Sequence, residues 1–361
     1  VDGRELQGRP TGVGRYLRSL LRSWPGADDT LVVYVSGPPP NDAALRDPRI
    51  VVRAVGDGRS RGIAFLLREL PRAAARDALD AFFAPAYVCP PLGVPKVTTV
   101  HDLSYFSVPH DFTPWDAARR RLLVGLSIRG SQAVIAPSAF TRREILNRFP
   151  SAAGRVAVVH EGPDLDLPPG PPREAARRRL GVTGPLLLAV GSILNRRCLP
   201  TLLRALARLK PAWPGLRLEV AGENRTHPRL DLPALAEALG AREALRLLGF
   251  VSDAELAERY AAADLAVCLS EYEGFGLPAL EAMARGVPVV LADRPALSEL
   301  FGSAGLGVDP HDEAAVAEAA DRVLRDPALA ERLRERGRAL AGRFSWEAAA
   351  RATRRLLREV S

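Results

Sequence analysis

The sequence predicts an α/β protein built of two parallel-sheet domains, and three observations carry that reading. Its 361 residues exceed what one ordinary compact core holds. Short, continuous apolar runs alternate along the chain with Ala/Leu/Arg-rich helical patterns. One proline- and glycine-dense segment, Gly162–Pro185, interrupts that rhythm near the middle.

Taken in order, VDGREL at the start reads as the end of a strand, with a few residues expected before it and no secretory leader pattern. The runs TLVVYV, KVTTVHD, QAVIAPS and VAVVHEG then supply strands to a first half. These runs are continuous rather than alternating, as befits strands covered on both faces of a parallel sheet. GPDLDLPPGPPREAARRRLGVTGP cannot be a central strand and reads as a linker. The second half opens on PLLLAVGS and continues through LRLEVAG, LRLLGF, DLAVCLS and VPVVLAD. Between them LPTLLRALARLK and DAELAERYAAA carry apolar residues at helical spacing. Ser252 and Glu255 form a capping-box pattern, and Ser345 is an N-cap for a long amphipathic segment that could return to the first half. The domains are therefore expected at 1–167 and 185–344, with a linker at 168–184 and a final helix at 345–361 packing back on the first domain.

Composition removes several function classes. The net charge is +8, but arginine greatly outnumbers lysine, which occurs only at Lys96 and Lys210. A GC-rich genome produces that bias, and no helix-turn-helix, RNA-binding or zinc signature accompanies it, so no nucleic-acid partner is expected. Cys89, Cys198 and Cys268 are far apart and odd in number, which argues against disulfides, and neither they nor the histidines have metal-ligand spacing. No apolar run is long enough to span a membrane, and a cytoplasmic location is expected. DAARRRLLVGLSIRG mixes arginines with an apolar face; it is either an ordinary domain helix or a peripheral contact with the inner face of a membrane.

The most informative stretch is EYEGFGLPALEAMARGVPVV, from Glu271. It follows the strand DLAVCLS, and ligands of open parallel sheets gather beyond the carboxyl ends of strands. Gly274 and Gly276 permit close backbone approach, and Pro278 suits a first helical turn. Free amides at such a helix start favour an anion, phosphate above all. Glu273 and Glu281 would repel a phosphate, so they make better sense as acceptors for hydroxyls on either side of it, as in a nucleotide sugar. Each could instead be a plain loop residue or helix starter; the Gly-Phe-Gly-Leu-Pro setting favours the ligand reading.

EGFGLPALEAMARGVPV resembles the E-x7-E signature of the retaining glycosyltransferases of family 4, which have the GT-B fold, two Rossmann-like domains facing a central cleft. TGVGRY, VHDLSYF, PSAFTRREI, VGSILNRRCLPTLLRAL, GFVSDAEL and FSWEAAA resemble further family segments, in the family's order and over essentially the whole chain.

That resemblance implies roles. Glu273 would contact the transferred sugar, Glu281 the ribose, and the amides of Gly276 and Leu277 the phosphate, with Gly274 and Phe275 completing the donor-binding turn. Arg196 and Arg197 would neutralise the diphosphate; the family usually has Lys where Arg197 stands and Asn where Cys198 stands. Gly12 and Gly14, with Arg15, would approach the donor phosphates and acceptor. His101 would lie beside the reacting sugar, with Asp102, Ser138 and Arg142 as acceptor or donor contacts. Phe250 and Val251 would hold the base, and Glu299 matches a family glutamate near the donor, or merely begins a helix. No cofactor or metal is expected: DLD at Asp164–Asp166 has the letters of a metal motif but sits in the linker. The resemblance is to bacterial mannosyl- and rhamnosyltransferases of surface-polysaccharide synthesis, with GDP-mannose as the favoured donor and a UDP- or dTDP-sugar next. The acceptor expected is a glycan or polyprenyl-linked glycan; a nucleotide-sugar-binding protein without catalysis is the rival class.

Overall fold

The computed structural model describes residues 1–8, 11–26, 28–56, 62, 64–164 and 167–361. It divides into two compact α/β units. The first comprises residues 1–103, 116–162 and 345–361, the second 104–115 and 163–344.

In the first unit, β3 (Phe82–Ala84), β4 (Lys96–Thr99), β5 (Ala133–Ala136) and β6 (Val156–Val158) form a parallel sheet in chain order. β1 (Leu31–Ser36) and β2 (Ile50–Val55) pair in parallel alongside. The opening residues join the two pieces: Gly3 N donates to Tyr34 O at 2.8 Å and Asp2 N to Phe83 O at 3.0 Å. Of VDGREL only Asp2 bridges a strand, to Tyr34, and Arg4–Leu6 turns into a short 3-10 helix, so the segment does not end a strand. The final helix, Trp346–Val360, belongs to this unit. Ser345 caps it, and Trp346, 1% exposed, meets the Tyr16 ring edge-on at 5.6 Å. Arg354 and Arg358 both pair with Asp29.

The second unit holds β7 (Leu186–Val190), β8 (Arg217–Ala221), β9 (Leu245–Gly249), β10 (Leu265–Cys268), β11 (Val289–Ala292) and β12 (Leu306–Val308), in the order β12-β11-β10-β7-β8-β9. Every pairing is parallel. Period-two alternation sends Leu187 and Ala189 of β7 to a core shared with the helices Leu199–Leu209 and Glu313–Arg325. Leu188 faces the opposite core, against the helices Asp253–Ala262 and Leu277–Ala284. Two covered faces are why these strands read as unbroken apolar runs.

The segment at 168–184 is not a bare linker. Arg173–Leu180 is a helix ended by Gly181 in the left-handed conformation, a common helix stop. Ala176 is buried and Arg177 pairs with Asp264 at 2.9 Å, so this helix is part of the second unit. Flanking prolines hid the short helical pattern REAARRRLG. Residues 104–115 also cluster with the second unit, a placement no local pattern announces. Three strands went unread for local reasons: β2 contains Arg53 and is half exposed, β3 spans three residues, and β12 carries a glycine.

Candidate functional site

The carboxyl ends of β7 and β10 in the second unit bring together the residues singled out around the two glutamates. Gly276 precedes the helix Leu277–Ala284 with φ +99°, a conformation that side chains strain to adopt. A Cβ there would also come 2.5 Å from Leu297 Cδ2. No side chain caps this helix start, and Pro278 sits in its first turn. Phe275 is buried against Phe301 and Phe344, which fixes the turn from beneath. The amides of Gly276 and Leu277 are therefore presented at the positive end of a helix without a side-chain acceptor.

Glu273 lies in the loop before that turn. Ser270 Oγ donates to its Oε1 at 2.8 Å, and Arg197 Nη2 stands 3.2 Å from the same oxygen. Arg197 also donates to Val190 O at 2.6 Å, at the end of β7. Gly191, at φ +109°, leaves the room that the Arg197 guanidinium occupies. Gly191, Arg197, Glu273, Gly276 and Pro278 all line one pocket. Glu281 is 4% exposed and accepts from Tyr260 Oη at 3.1 Å.

Arg196 points to a different partner from Arg197. Its backbone N donates to Asp111 Oδ2 at 3.2 Å, and its Nη1 lies 3.6 Å from that oxygen. Cys198 follows at φ 49°, the one non-glycine left-handed residue among those described, and begins the helix Leu199–Leu209. Asn, the usual family residue, tolerates that conformation better. Burial first, and the nearby Glu271 charge second, push the Cys198 thiol up to about 12. Burial does the same to Cys268, which lies on β10 beside the pocket. The sequence spacing predicted no metal ligands, yet the fold places ligand atoms of Cys198, Glu271 and His311 within 4.8 Å of one another.

Phe250 is exposed at 48% and, with Val251, leads from β9 into the helix Asp253–Ala262. Ser252 and Glu255 make the expected capping box there, Ser252 N donating to Glu255 Oε2 at 2.8 Å. Glu299 does not begin a helix; it lies well inside Pro295–Phe301.

The remaining sequence-predicted residues belong to the first unit. The TGVGRY segment is a helix start rather than an open loop: Gly12–Arg22 is helical and Thr11 Oγ1 accepts from Gly14 N at 2.9 Å. Gly14 is required for packing, because a Cβ would lie 2.5 Å from Glu5 O, whereas Gly12 faces open space. His101 follows β4 with both nitrogens engaged: Nε2 donates to Pro85 O at 2.8 Å and Nδ1 faces Glu161 Oε1 at 3.1 Å. A carbonyl and a carboxylate both accept, so this setting favours a ring protonated on both nitrogens. Burial works against that charge, but the hydrogen bond to Glu161 and its negative charge prevail, and the His101 pKa is raised. Asp102 adds to the effect through its charge. Ser138 is fully buried and caps the helix Ala139–Arg148 through Thr141 N at 3.1 Å. Arg142 in that helix donates from Nε to Val156 O at 3.2 Å. Of the DLD stretch, residues 165 and 166 lie outside the described residues.

Four partners of the site escaped the sequence reading: Tyr260, Ser270, Glu161 and Asp111. Glu161 had a signal, a carboxylate two residues after the run VAVV. Tyr260 had none, because it reads as one more apolar helix residue.

Comparison with known proteins places this geometry. Residues 10–167 match the model of "Glycosyltransferase Family 4", and residues 172–340 that of "Glycosyl transferases group 1". The chain is 34% identical over 281 residues to an O-antigen chain mannosyltransferase B of Escherichia coli, covering 76% of this chain and 73% of that protein. It is 34% identical over 284 residues to a D-inositol 3-phosphate glycosyltransferase of a Nocardioides species, covering 72% of this chain and 61% of the relative. A GDP-mannose:cellobiosyl-diphosphopolyprenol alpha-mannosyltransferase of Komagataeibacter xylinus is 32% identical over 243 residues, 66% of this chain and 59% of its own length. Among solved structures, sucrose-phosphate synthase from Thermosynechococcus elongatus superposes with a TM-score of 0.79 at 25% identity, covering 99% of this chain and 95% of that one. With both halves matched in order and the pocket built at the carboxyl ends of β7 and β10, the chain belongs to the family 4 glycosyltransferases and is a glycosyltransferase of the GT-B fold.

Proposed function

We propose that this glycosyltransferase transfers mannose from GDP-mannose to a hydroxyl of a glycan or lipid-linked glycan, with retention of configuration and without a metal. The observation that carries the reading is the uncapped start of the helix Leu277–Ala284, with Arg197 and Glu273 lining the same pocket. Departure of a nucleoside diphosphate builds negative charge on phosphate oxygens. Fixed amides at Gly276 and Leu277 and the Arg197 guanidinium are preorganised to stabilise it, and Arg196, paired with Asp111, adds positive charge nearby. Glu273 accepts from the hydroxyls of the transferred sugar, and Glu281 from the ribose. The anomeric carbon becomes oxocarbenium-like, as in glycoside cleavage. The acceptor hydroxyl attacks from the face the diphosphate leaves, and its proton passes to the leaving phosphate. His101 lends a positive charge that Glu161 maintains.

The mannose assignment is supported by the names of the E. coli and K. xylinus relatives. A polyprenyl-linked acceptor and a peripheral membrane contact at the cytoplasmic face are supported by the helix Pro114–Gly130. It exposes Trp115 at 76%, Leu122 at 63% and Leu126 at 56%, near Arg119 and Arg121. No helix among the described residues is long and apolar enough to cross a membrane.

The test is a thermal-shift screen against GDP-, UDP-, dTDP- and ADP-sugars, followed by transfer of labelled sugar to polyprenyl-diphosphate glycans. GDP-mannose is expected to stabilise the protein most and to be consumed. Preference for a UDP- or dTDP-sugar overturns the donor assignment, and saturable binding without transfer overturns catalysis.

A further inference from the structure

The turn after β7, the loop after β10 and the loop after β12 meet at a cluster that the transfer chemistry does not use. Cys198, Glu271 and His311 come from sequence positions too far apart to read as a motif. Their ligand atoms nevertheless lie within 4.8 Å of one another. His311 Nε2 is 3.0 Å from Glu271 Oε2, and Glu271 N donates to Arg196 O at 2.8 Å, which ties the two loops to the turn. His110 Nε2 stands 3.9 Å from the other oxygen of Glu271. Asp111, with a side chain 2% exposed, has an Oδ1 without a hydrogen-bond partner. Glu271 and Asp111 act on the Cys198 thiol with negative charge, and Arg294 with positive. Cys198 also sits in a left-handed backbone conformation that a cysteine adopts at a cost.

We propose that Cys198, Glu271 and His311 form a binding site for a borderline transition-metal ion, Zn²⁺ in particular. One thiolate, one imidazole and one carboxylate are the donor set that zinc takes and that Mg²⁺ and Ca²⁺ do not. Coordination replaces the sulfur-bound hydrogen with the metal and releases that proton to solvent. The hydrogen bond between His311 and Glu271 gives way to two metal bonds, and a fourth position is left to water. The ion is structural: it pins the turn that carries Arg196 and Arg197 to the loop that carries Glu273, and takes no part in the transfer proposed above.

The test uses the whole chain, stripped with chelator and dialysed, and titrated with Co²⁺ as the spectroscopic probe and then with Zn²⁺. One Co²⁺ per chain is expected, with a thiolate-to-cobalt charge-transfer band that Zn²⁺ bleaches. Cys198→Ser should lose that band. His311→Ala, at a side chain 57% exposed and so neutral for folding, should weaken binding by at least about tenfold. Absence of the band in the wild type overturns the site. So does its persistence in Cys198→Ser, which would assign it to Cys89 or Cys268, or unchanged affinity in His311→Ala. No nucleotide enters the measurement, so its outcome is separate from that of the donor screen.

Discussion

Arg197 Nη2 and Glu273 Oε1 stand 3.2 Å apart, and Ser270 Oγ donates to the same carboxylate oxygen. The cation assigned to the diphosphate and the carboxylate assigned to the sugar therefore hold each other in the free protein. On the roles proposed above, a nucleotide sugar would meet two groups that are already held in place rather than recruited from solvent.

From this pair, Glu273→Gln should lower the transfer rate by about a hundredfold while donor affinity changes little, because the lost negative charge acts on the reacting sugar. Arg197→Ala should instead weaken donor binding by about ten- to a hundredfold, the worth of one charge-assisted contact. Calorimetry of nucleotide-sugar binding beside single-turnover transfer separates the two. Equal losses in both quantities for both variants would refute the division of roles.

Tyr260→Phe removes the hydroxyl that reaches the buried carboxylate of Glu281. The variant should lose about 1 kcal/mol of stability and bind the nucleotide less tightly, since the acceptor for the ribose is no longer held. Denaturant unfolding and titration with the free nucleoside diphosphate read the two effects. A stability loss with unaltered nucleotide affinity would detach Glu281 from the ribose.

Gly276→Ala meets two obstacles at once, the φ of +99° and the approach to Leu297. The expected cost is about 2–4 kcal/mol, combining backbone strain and overpacking. Chemical unfolding at equilibrium measures it; a change below about 0.5 kcal/mol would show that the turn relaxes freely.

The His101–Glu161 pair predicts a dependence on pH. The His101 pKa in the folded protein is raised above the unfolded 6.5. Its stabilisation is therefore complete below about 6.5 and is lost as pH rises through the elevated folded value. Thermal melts of the wild type and Glu161→Gln, from about pH 6 to about pH 9, should show a gap that narrows toward alkali. A constant gap would mean that the imidazole does not titrate against Glu161.

In protein treated with EDTA and resupplied with Zn²⁺ alone, transfer should proceed undiminished, because amides and arginines supply the positive field at the phosphates. Reversible loss of turnover, restored by Mg²⁺ or Mn²⁺, would replace that account with metal-assisted departure.

Much of this was legible because parallel strands covered on both faces leave plain apolar runs, as in PLLLAVGS and DLAVCLS, each followed by a segment that lines the pocket. The uncapped Gly-Phe-Gly-Leu-Pro helix start was legible for the same reason, since glycine and proline mark backbone demands directly. What stayed hidden is long-range. Nothing local tells that Asp111 meets Arg196, that Tyr260 reaches Glu281, or that His311 returns to Cys198 and Glu271. The helix Arg173–Leu180 was hidden differently, by prolines that made its surroundings look unstructured.

The last helix has a consequence for how the molecule is made. Trp346 lies against Tyr16 in the first unit, although the residues just before Ser345 belong to the second. During synthesis, therefore, the second unit can be finished while the first still waits for its closing piece, and Tyr16 meets its indole neighbour only after residues 345–361 emerge. Cutting the chain after Phe344 would not trim a tail; it would leave the N-terminal unit permanently open along one side.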